Sequence, residues 1–186
     1  MADVKQSVTE WPLRVETTRP TTAEREGMKW PVSLRTARAI EGDNTWIFTD
    51  GSGAGWHAAV LVRPGVGERR ICSWREPLAG NAGAELDAVI LGLEHTRTNE
   101  RVVFVSDYLW TAYYINGWRK VHKPYLSDRV ITARTMLLDL RLRGAVFVHY
   151  GGGNGGPTDF SRLNKLADRL CRDQQEVDVR LDSAGA

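Results

Sequence analysis

The chain has 186 residues, 42% of them hydrophobic and 26% charged, with a formal net charge of +2, and this balance suits one globular domain with an extension. It contains no apolar run of the roughly 18 residues that a membrane span needs, no signal-peptide pattern, and two cysteines, Cys72 and Cys171, that lack metal-ligand spacing. These features exclude a membrane-spanning protein and a disulfide-rich secreted one, so we expect a cytoplasmic monomer without membrane partners.

Residues 1–44 differ in composition from the rest of the chain, being polar and rich in Thr, Arg and Glu. Their turn and cap residues predict short helices over 21–27 and 31–40 and no strand. Trp11 and Trp30 are unusual for a fully disordered segment. We therefore predict an N-terminal extension that is partly ordered or loosely docked onto a domain.

The folded domain is predicted to cover 45–175, followed by a C-terminal tail over 176–186. Three strands separated by short turn-like gaps predict an antiparallel meander, and the later strands alternate with helices, which predicts parallel crossovers. The predicted strands cover 45–51, 56–65, 68–78, 101–107 and 145–150, and the predicted helices cover 81–98, 108–118, 127–144 and 158–175. Ser127 is a possible cap of the third helix, and Gly144 its stop. The fold class is therefore α/β, with a mixed five-stranded sheet and helices on both faces.

Four acidic residues fall at particular places on these elements. Asp50 ends the first strand in "IFTDGSG", Glu85 lies in the first turn of the first helix, Asp107 ends the fourth strand, and Asp168 lies on the last helix. Three of them have an ordinary alternative reading: an Asp-Gly turn for Asp50, a first-turn acid favoured by the helix dipole for Glu85, and a solvated face for Asp168.

The carboxyl ends of the first and fourth strands are expected to be neighbours in the sheet, which brings Asp50 and Asp107 together. Two unpaired carboxylates at such a distance repel each other, and no Lys or Arg flanks either one in sequence. Hard divalent cations with oxygen ligands would relieve the repulsion, and Mg²⁺ favours carboxylates combined with waters and phosphates. Four carboxylates could hold two ions roughly 3.5–4 Å apart, the spacing used in phosphodiester cleavage.

Four segments in this order resemble the type 1 ribonuclease H family: "FTDGSG", "NAGAELDAVILGL", "VFVSDYLWTAYYINGW" and "NKLADRLC". The resemblance covers about residues 45–173 and implies a ribonuclease H-like catalytic domain. It also implies hydrolysis of the RNA strand of RNA–DNA hybrids with two Mg²⁺ ions, for which Mn²⁺ can substitute, leaving 5′-phosphate and 3′-hydroxyl ends. Two alternatives stay open: a non-catalytic hybrid-binding module on a decayed nuclease, and another nuclease of this fold, such as a resolvase or an exonuclease.

By position, the resemblance implies catalytic and metal-binding roles for Asp50, Glu85, Asp107 and Asp168, with Asp50 shared by both ions. It implies that Asn81 contacts the substrate in the minor groove, where the 2′-hydroxyl groups are exposed, and that Trp118 lies near the DNA strand beside a short basic handle. The residues predicted to bind substrate are Gly51, Ser52, Asn81, Trp118, Arg119, Lys120, Lys123 and Asn164. Affinity for the hybrid is therefore expected to fall steeply with salt.

The sequence departs from the family pattern in the loop before the last helix. The family usually carries a histidine there that is thought to help product release, whereas "GGGNGGPTDF" contains none. His149, at the end of the fifth strand, is a candidate catalytic substitute, and its alternative reading is an ordinary strand-end histidine. Asn154 is a weaker stand-in. By alternation, His149 is expected to face opposite to Val148 and Tyr150.

Overall fold

A computed structural model of the protein describes residues 14–18, 43–77, 80–142, 144–150 and 159–184. The strands are β1 Arg14–Thr18, β2 Thr45–Gly51, β3 Trp56–Arg63, β4 Gly67–Trp74, β5 Arg101–Ser106 and β6 Gly144–Tyr150. The helices are α1 Gly80–Glu94, α2 Trp110–Asn116, α3 Pro124–Asp139 and α4 Asp159–Ala184. Among these described helices, none is long and apolar enough to cross a membrane.

The strands form one mixed sheet in the order β1-β6-β5-β2-β3-β4. Strands β2, β3 and β4 are antiparallel neighbours, whereas β5 and β6 join the other edge of β2 in parallel. The predicted α/β fold, with its antiparallel meander followed by parallel crossovers, is confirmed by strands β2 to β6. The first and fourth predicted strands, β2 and β5, are adjacent, so their carboxyl ends meet at one edge of the sheet.

Strand β1 adds a sixth strand that the sequence analysis did not predict. It pairs in parallel with β6, in a register that places Val15 beside Phe147 and Thr17 beside His149. The expectation that residues 1–44 hold no strand is therefore wrong at Arg14–Thr18. The reason is that this strand state depends on pairing with a partner far away in sequence, which a local pattern does not reveal. The two helices predicted over 21–27 and 31–40 lie outside the described residues.

The bounds of all four helices differ from the prediction, and those of α3 and α4 differ most. Helix α3 begins at Pro124 after an extended Lys123, because proline suits the first helical position, where its missing N–H is not needed. Ser127 therefore lies inside the helix, and Gly144 opens β6 instead of ending α3. Helix α4 continues to Ala184, so most of the predicted tail over 176–186 extends this helix.

Two apolar clusters hold the helices on opposite faces of the sheet. Helices α1 and α3 pack on one face around residues such as Ile47 and Phe104, which are fully buried. Helix α4 covers the other face, where Leu163 and Ala167 contact a cluster that includes Phe48. Burial of apolar side chains of this size stabilises each layer by roughly 1.5–3 kcal/mol per residue. Both layers reach the sheet edge where β2 and β5 end.

Candidate active site

Three carboxylates from separate parts of the chain meet at this edge. Asp50 is near the end of β2, Glu85 lies on α1, and Asp107 directly follows β5. One carboxylate oxygen from each residue lies within 4.8 Å of the others, and the group could hold a metal ion. Glu85 is buried, whereas Asp107 is open to solvent at the rim. The predicted convergence of Asp50 and Asp107 is confirmed, and Glu85 joins them.

Gly51 makes this approach of strand and helix possible. A β-carbon at this position would overlap the backbone of Ala84 and Glu85 in α1. Only glycine therefore lets the end of β2 lie against this turn of the helix. The Gly51 backbone also hydrogen-bonds to the carboxylates of Asp50 and Glu85. The predicted site residue Gly51 thus acts as a spacer and as a donor within the acidic cluster.

The close packing of acids raises their pKa values. Burial, together with the negative charges of Asp107 and Asp168, raises the pKa of Asp50 to about 7. Burial and the charges of Asp50 and Asp107 raise the pKa of Glu85 well above its ordinary value. Loss of hydration likewise raises the pKa of Asp107. Hard oxygen donors whose ionisation is disfavoured by mutual repulsion fit a divalent cation, which would relieve that repulsion.

Asp168 lies near this cluster but is not one of its three close members. Its negative charge acts on both Asp50 and Asp107. The guanidinium of Arg172, one helical turn further along α4, forms an ion pair with the Asp168 carboxylate. Arg172 was not among the residues predicted from the sequence, although acid–base spacing of four residues on a helix is a known signal for such a pair.

Buried polar groups orient the acids. Asn164 is 3% exposed, and its side chain hydrogen-bonds to the carboxylate of Asp107. The Ser106 hydroxyl donates to Glu85 Oε2 at 3.4 Å and accepts from the Tyr108 backbone N–H at 3.0 Å. Asn164 was expected to bind substrate; the structure brings it to the site as a partner of Asp107.

His149 lies at the same edge. Its Nε2 donates a hydrogen bond to the backbone carbonyl of Asp107 at 2.9 Å. Val148 and Tyr150 are fully buried in the cluster under α4, whereas His149 is half-buried. This alternation agrees with the expected orientation of His149. Residues 151–158, including Asn154, lie outside the described residues.

Asn81 lies beside the tight turn that connects β2 to β3. A β-carbon at Gly53 in that turn would overlap the Asn81 side-chain oxygen, so the asparagine rests directly on the turn. Ser52 shapes the turn, because its backbone N–H donates to the Trp56 carbonyl at 2.7 Å. Trp74, which the sequence analysis did not single out, is 52% exposed, and its Nε1 donates to the Ala54 carbonyl at 3.1 Å.

The predicted basic handle is an aromatic and cationic surface after α2. Trp118 is exposed and meets the edge of Tyr113, with ring centroids 5.5 Å apart. The Arg119 guanidinium lies 3.8 Å from the ring centroid of Trp110, a residue that the sequence analysis missed. Lys120, His122 and Lys123 are exposed beside them. Aromatic rings flanked by cations suit a nucleic-acid backbone and its bases.

This chain is similar to known proteins in its three-dimensional structure. No protein-family model matches this sequence, and the curated proteins give no match either. The N-terminal RNase H domain of rv2228c from Mycobacterium tuberculosis has a TM-score of 0.54 at 19% identity, covering 76% of this chain and 99% of that one.

Two further solved structures are similar to the same extent. RNase H1 from the halophilic archaeon Halobacterium salinarum has a TM-score of 0.53 at 20% identity, over 72% of this chain and 98% of that one. LC11-RNase H1, solved in complex with an RNA/DNA hybrid, has a TM-score of 0.54 at 17% identity, over 71% of this chain and 99% of that one. Nearly the whole of each of these proteins is matched, and the chain therefore has the ribonuclease H fold.

Proposed function

We propose that this protein is an endoribonuclease that hydrolyses the RNA strand of RNA–DNA hybrids and leaves 5′-phosphate and 3′-hydroxyl ends. The observation that carries the proposal is the meeting of Asp50, Glu85 and Asp107 within 4.8 Å at one sheet edge. A structural role does not account for a partly buried cluster of like charges, because the repulsion lowers the stability of the fold. The ribonuclease H fold supports the reaction class, since its solved relatives include one bound to such a hybrid.

The residues present suit two Mg²⁺ ions. Asp50, Glu85 and Asp107 would hold one, and Asp50 with Asp168 would hold the other, with Mn²⁺ as a possible substitute. When bound, such ions activate water and stabilise the leaving oxygen of a phosphodiester. Asp50 is the acid common to both positions, and its raised pKa means that a proton competes with the cation for it.

The chain's own contribution is to fix the direction of each carboxylate. Asn164 restrains Asp107, and Ser106 together with the Gly51 backbone restrains Glu85. His149, whose Nε2 contacts the backbone carbonyl of Asp107, is our candidate to replace the loop histidine that helps product release in the family. Preorganised polar groups of this kind avoid reorganisation at the moment of reaction.

Two surfaces would hold the hybrid on either side of the acids. On one side, Asn81 and the turn at Ser52 would contact the strand that is cut, and the exposed Trp74 ring would extend this surface. Contacts in the minor groove let a protein distinguish RNA from DNA through the 2′-hydroxyl groups. On the other side, Trp118 and Arg119 would hold the DNA strand through stacking and phosphate contacts.

The test is cleavage of an end-labelled RNA–DNA hybrid with Mg²⁺, Mn²⁺ or EDTA, beside duplex DNA, duplex RNA and single strands. Cutting of only the RNA strand of the hybrid, abolished by EDTA, is the expected result. Tight hybrid binding without any cutting would show a non-catalytic module instead. Cutting of DNA junctions or DNA ends would keep a nuclease on this fold and overturn the proposed substrate.

A further inference from the structure

The two cysteines of the chain lie side by side, although they come from different elements. Cys72 is on β4 and Cys171 is on α4, and each is a free thiol. The Cys72 thiol donates to the backbone carbonyl of Leu170, the residue before Cys171, at 3.6 Å, and the two thiols are within hydrogen-bonding reach of each other. Cys72 is half-buried, whereas Cys171 is 1% exposed. One thiol is therefore accessible to small reagents in solution, and its partner lies directly beneath it.

This thiol pair lies against the acidic cluster. Asp50 is opposite Ala58 in β3, and Ala58 is opposite Cys72 in β4. Residues directly opposite one another on neighbouring strands point to the same face of a sheet, so Cys72 shares the α4 face with Asp50. The Cys171 thiol reaches the Asp50 backbone carbonyl at 3.5 Å, and Cys171 follows Asp168 by three residues on α4.

We propose that Cys72 and Cys171 form an oxidation site that closes to an intramolecular disulfide on reaction with a hydroperoxide. The Cys72 thiolate attacks one peroxide oxygen, which breaks the O–O bond and gives a sulfenic acid and, after protonation, water or an alcohol. The Cys171 sulfur then displaces the hydroxyl group, which leaves as a second water. Each sulfur loses one electron, and the peroxide takes up both.

The surroundings of the two sulfurs assign these roles. A hydrogen bond from Cys171 lowers the pKa of Cys72, and the thiolate is the reactive form of a cysteine. Cys72 is also the more exposed of the two. Cys171 is 1% exposed and is shielded from reagents in solution, so Cys171 is the resolving thiol.

Closure has a consequence for the site, which rests on the function proposed above. A disulfide holds its sulfurs about 2.05 Å apart, which is much closer than two thiols in contact. Cys171 then lacks its one thiol hydrogen, for which the Cys72 sulfur and the Asp50 carbonyl are both within reach, and the turn of α4 that carries Asp168 is drawn toward β4. Oxidation is therefore expected to lower the rate of hybrid cleavage, and reduction is expected to restore it.

The experiment treats the full chain with hydrogen peroxide and then blocks the remaining thiols with N-ethylmaleimide, followed by intact-mass and peptide analysis. We expect both thiols to disappear together and a Cys72–Cys171 peptide to form at a rate independent of protein concentration. The oxidised protein is expected to melt roughly 5–15 °C higher, because a long loop is closed. Loss of the Cys72 thiol alone, or disulfides only between chains, would overturn the proposal.

Matched variants separate this result from the proposed activity. In Cys72→Ser the buried Cys171 is expected to stay reduced, and in Cys171→Ala the Cys72 thiol is expected to oxidise beyond the sulfenic acid without a melting shift. Disulfide formation and the melting shift need no substrate, so they test the oxidation site even if the chain cleaves nothing. A wild-type melting shift that persists in Cys171→Ala would contradict the assignment.

Discussion

Helix α1 carries two buried carboxylates two residues apart, and their surroundings are opposite in kind. Asp87 is 3% exposed and has its own counter-charges: Arg75 Nη1 lies 2.6 Å from one carboxylate oxygen and Arg129 Nε lies 2.8 Å from the other. This acid ties α1 to the end of β4 and to α3. It is a structural ion pair, with every charge supplied by the chain itself.

Glu85, by contrast, faces other acids. Its neighbours are Asp50 and Asp107, whose charges raise its pKa, and within the described ranges no Lys or Arg forms an ion pair with any of these three residues. The difference shows how a protein distinguishes an acid of the scaffold from an acid of a site. The scaffold acid is neutralised by arginines of the same chain. The site acid is held by neutral hydrogen bonds, in a group that could hold a metal ion.

The strongest test of this difference removes the negative charge of Asp50, the acid that both proposed cation positions share. Asp50→Asn is expected to lower hybrid cleavage by about 10³-fold or more, because the acid common to both cation positions is lost. Folding and hybrid binding are expected to persist, since the change removes repulsion and keeps the shape. Single-turnover cleavage and a separate binding measurement check this outcome.

Asp139→Asn is the matched control, because Asp139 is an exposed acid at the end of α3. Its cleavage rate is expected to equal that of the unchanged protein. Cleavage by Asp50→Asn at a comparable rate would remove Asp50 from the site.

The structural acid should show the reverse behaviour. Asp87→Asn leaves the nearly buried Arg129 guanidinium without its carboxylate, and breaking a buried pair of this kind costs about 3–5 kcal/mol. We expect a marked fall in melting temperature, while the folded fraction retains its cleavage chemistry. Thermal melting, together with cleavage well below the melting temperature, measures the two effects separately.

Arg75→Gln provides the comparison within the same pair, because Arg75 is about half exposed and such ion pairs contribute at most about 1 kcal/mol. A fall in melting temperature as large as that of Asp87→Asn would mean that Arg75, not Arg129, carries the interaction.

The sequence supported much of the site, since its signals are local. Asp50 and Asp107 each follow an apolar strand, and strand order follows from the alternation of strands and helices. Glu85 lies on a helix whose apolar residues recur at helical spacing. These positions could therefore be predicted without any knowledge of contacts.

The features that sequence analysis missed depend on contacts between distant residues. Strand β1 exists through its pairing with β6. The roles of Asp87 and Arg129 come from the packing of α1 on α3, and neither residue has a distinctive neighbour in sequence. The thiol pair joins β4 to α4 across the α4 face of the sheet, which a count of cysteine spacings does not detect.

The raised pKa of Asp50 predicts how the metal-free protein responds to pH. In the unfolded chain the carboxyl loses its proton near its ordinary pKa of 3.8, whereas in the folded chain it keeps the proton up to about 7. The folded state thus binds more protons between these values, so stability falls as pH rises through that window and levels off above it. From about pH 5.5 to 7 the loss is about 2 kcal/mol, or roughly 4–8 °C in melting temperature.

Melting in EDTA across this pH range checks the prediction, with Mg²⁺ in a parallel series. Mg²⁺ is expected to raise the melting temperature most above about pH 7, where Asp50 is ionised and no proton competes with the cation. Asp50→Asn should have a clearly smaller pH dependence in EDTA, whereas Asp139→Asn should keep it. An unchanged pH dependence in Asp50→Asn would show that its carboxyl is already ionised at about pH 5.5.

The smallest expected effect concerns Arg172, because it pairs with Asp168, which is a predicted site acid. The positive charge of Arg172 pairs with Asp168 and lowers the pKa of Asp50. Arg172 therefore supplies part of the positive charge that a bound cation would bring to the acids. Arg172→Gln is therefore expected to lower the Mg²⁺ concentration needed for half-maximal cleavage by about twofold, the modest size typical of an exposed pair.

Arg169→Gln is the matched control, because Arg169 is an exposed arginine directly after Asp168. Successive side chains are about 100° apart around a helix axis, so Arg169 and Asp168 point in different directions. Both variants lose one positive charge, so a general weakening of hybrid binding would affect them equally. Only Arg172→Gln should also increase the melting shift produced by a fixed, subsaturating concentration of Mg²⁺. An equal Mg²⁺ requirement in the two variants would mean that Asp168 does not exchange its arginine for a cation, and that it belongs with Asp87 among the acids neutralised from within.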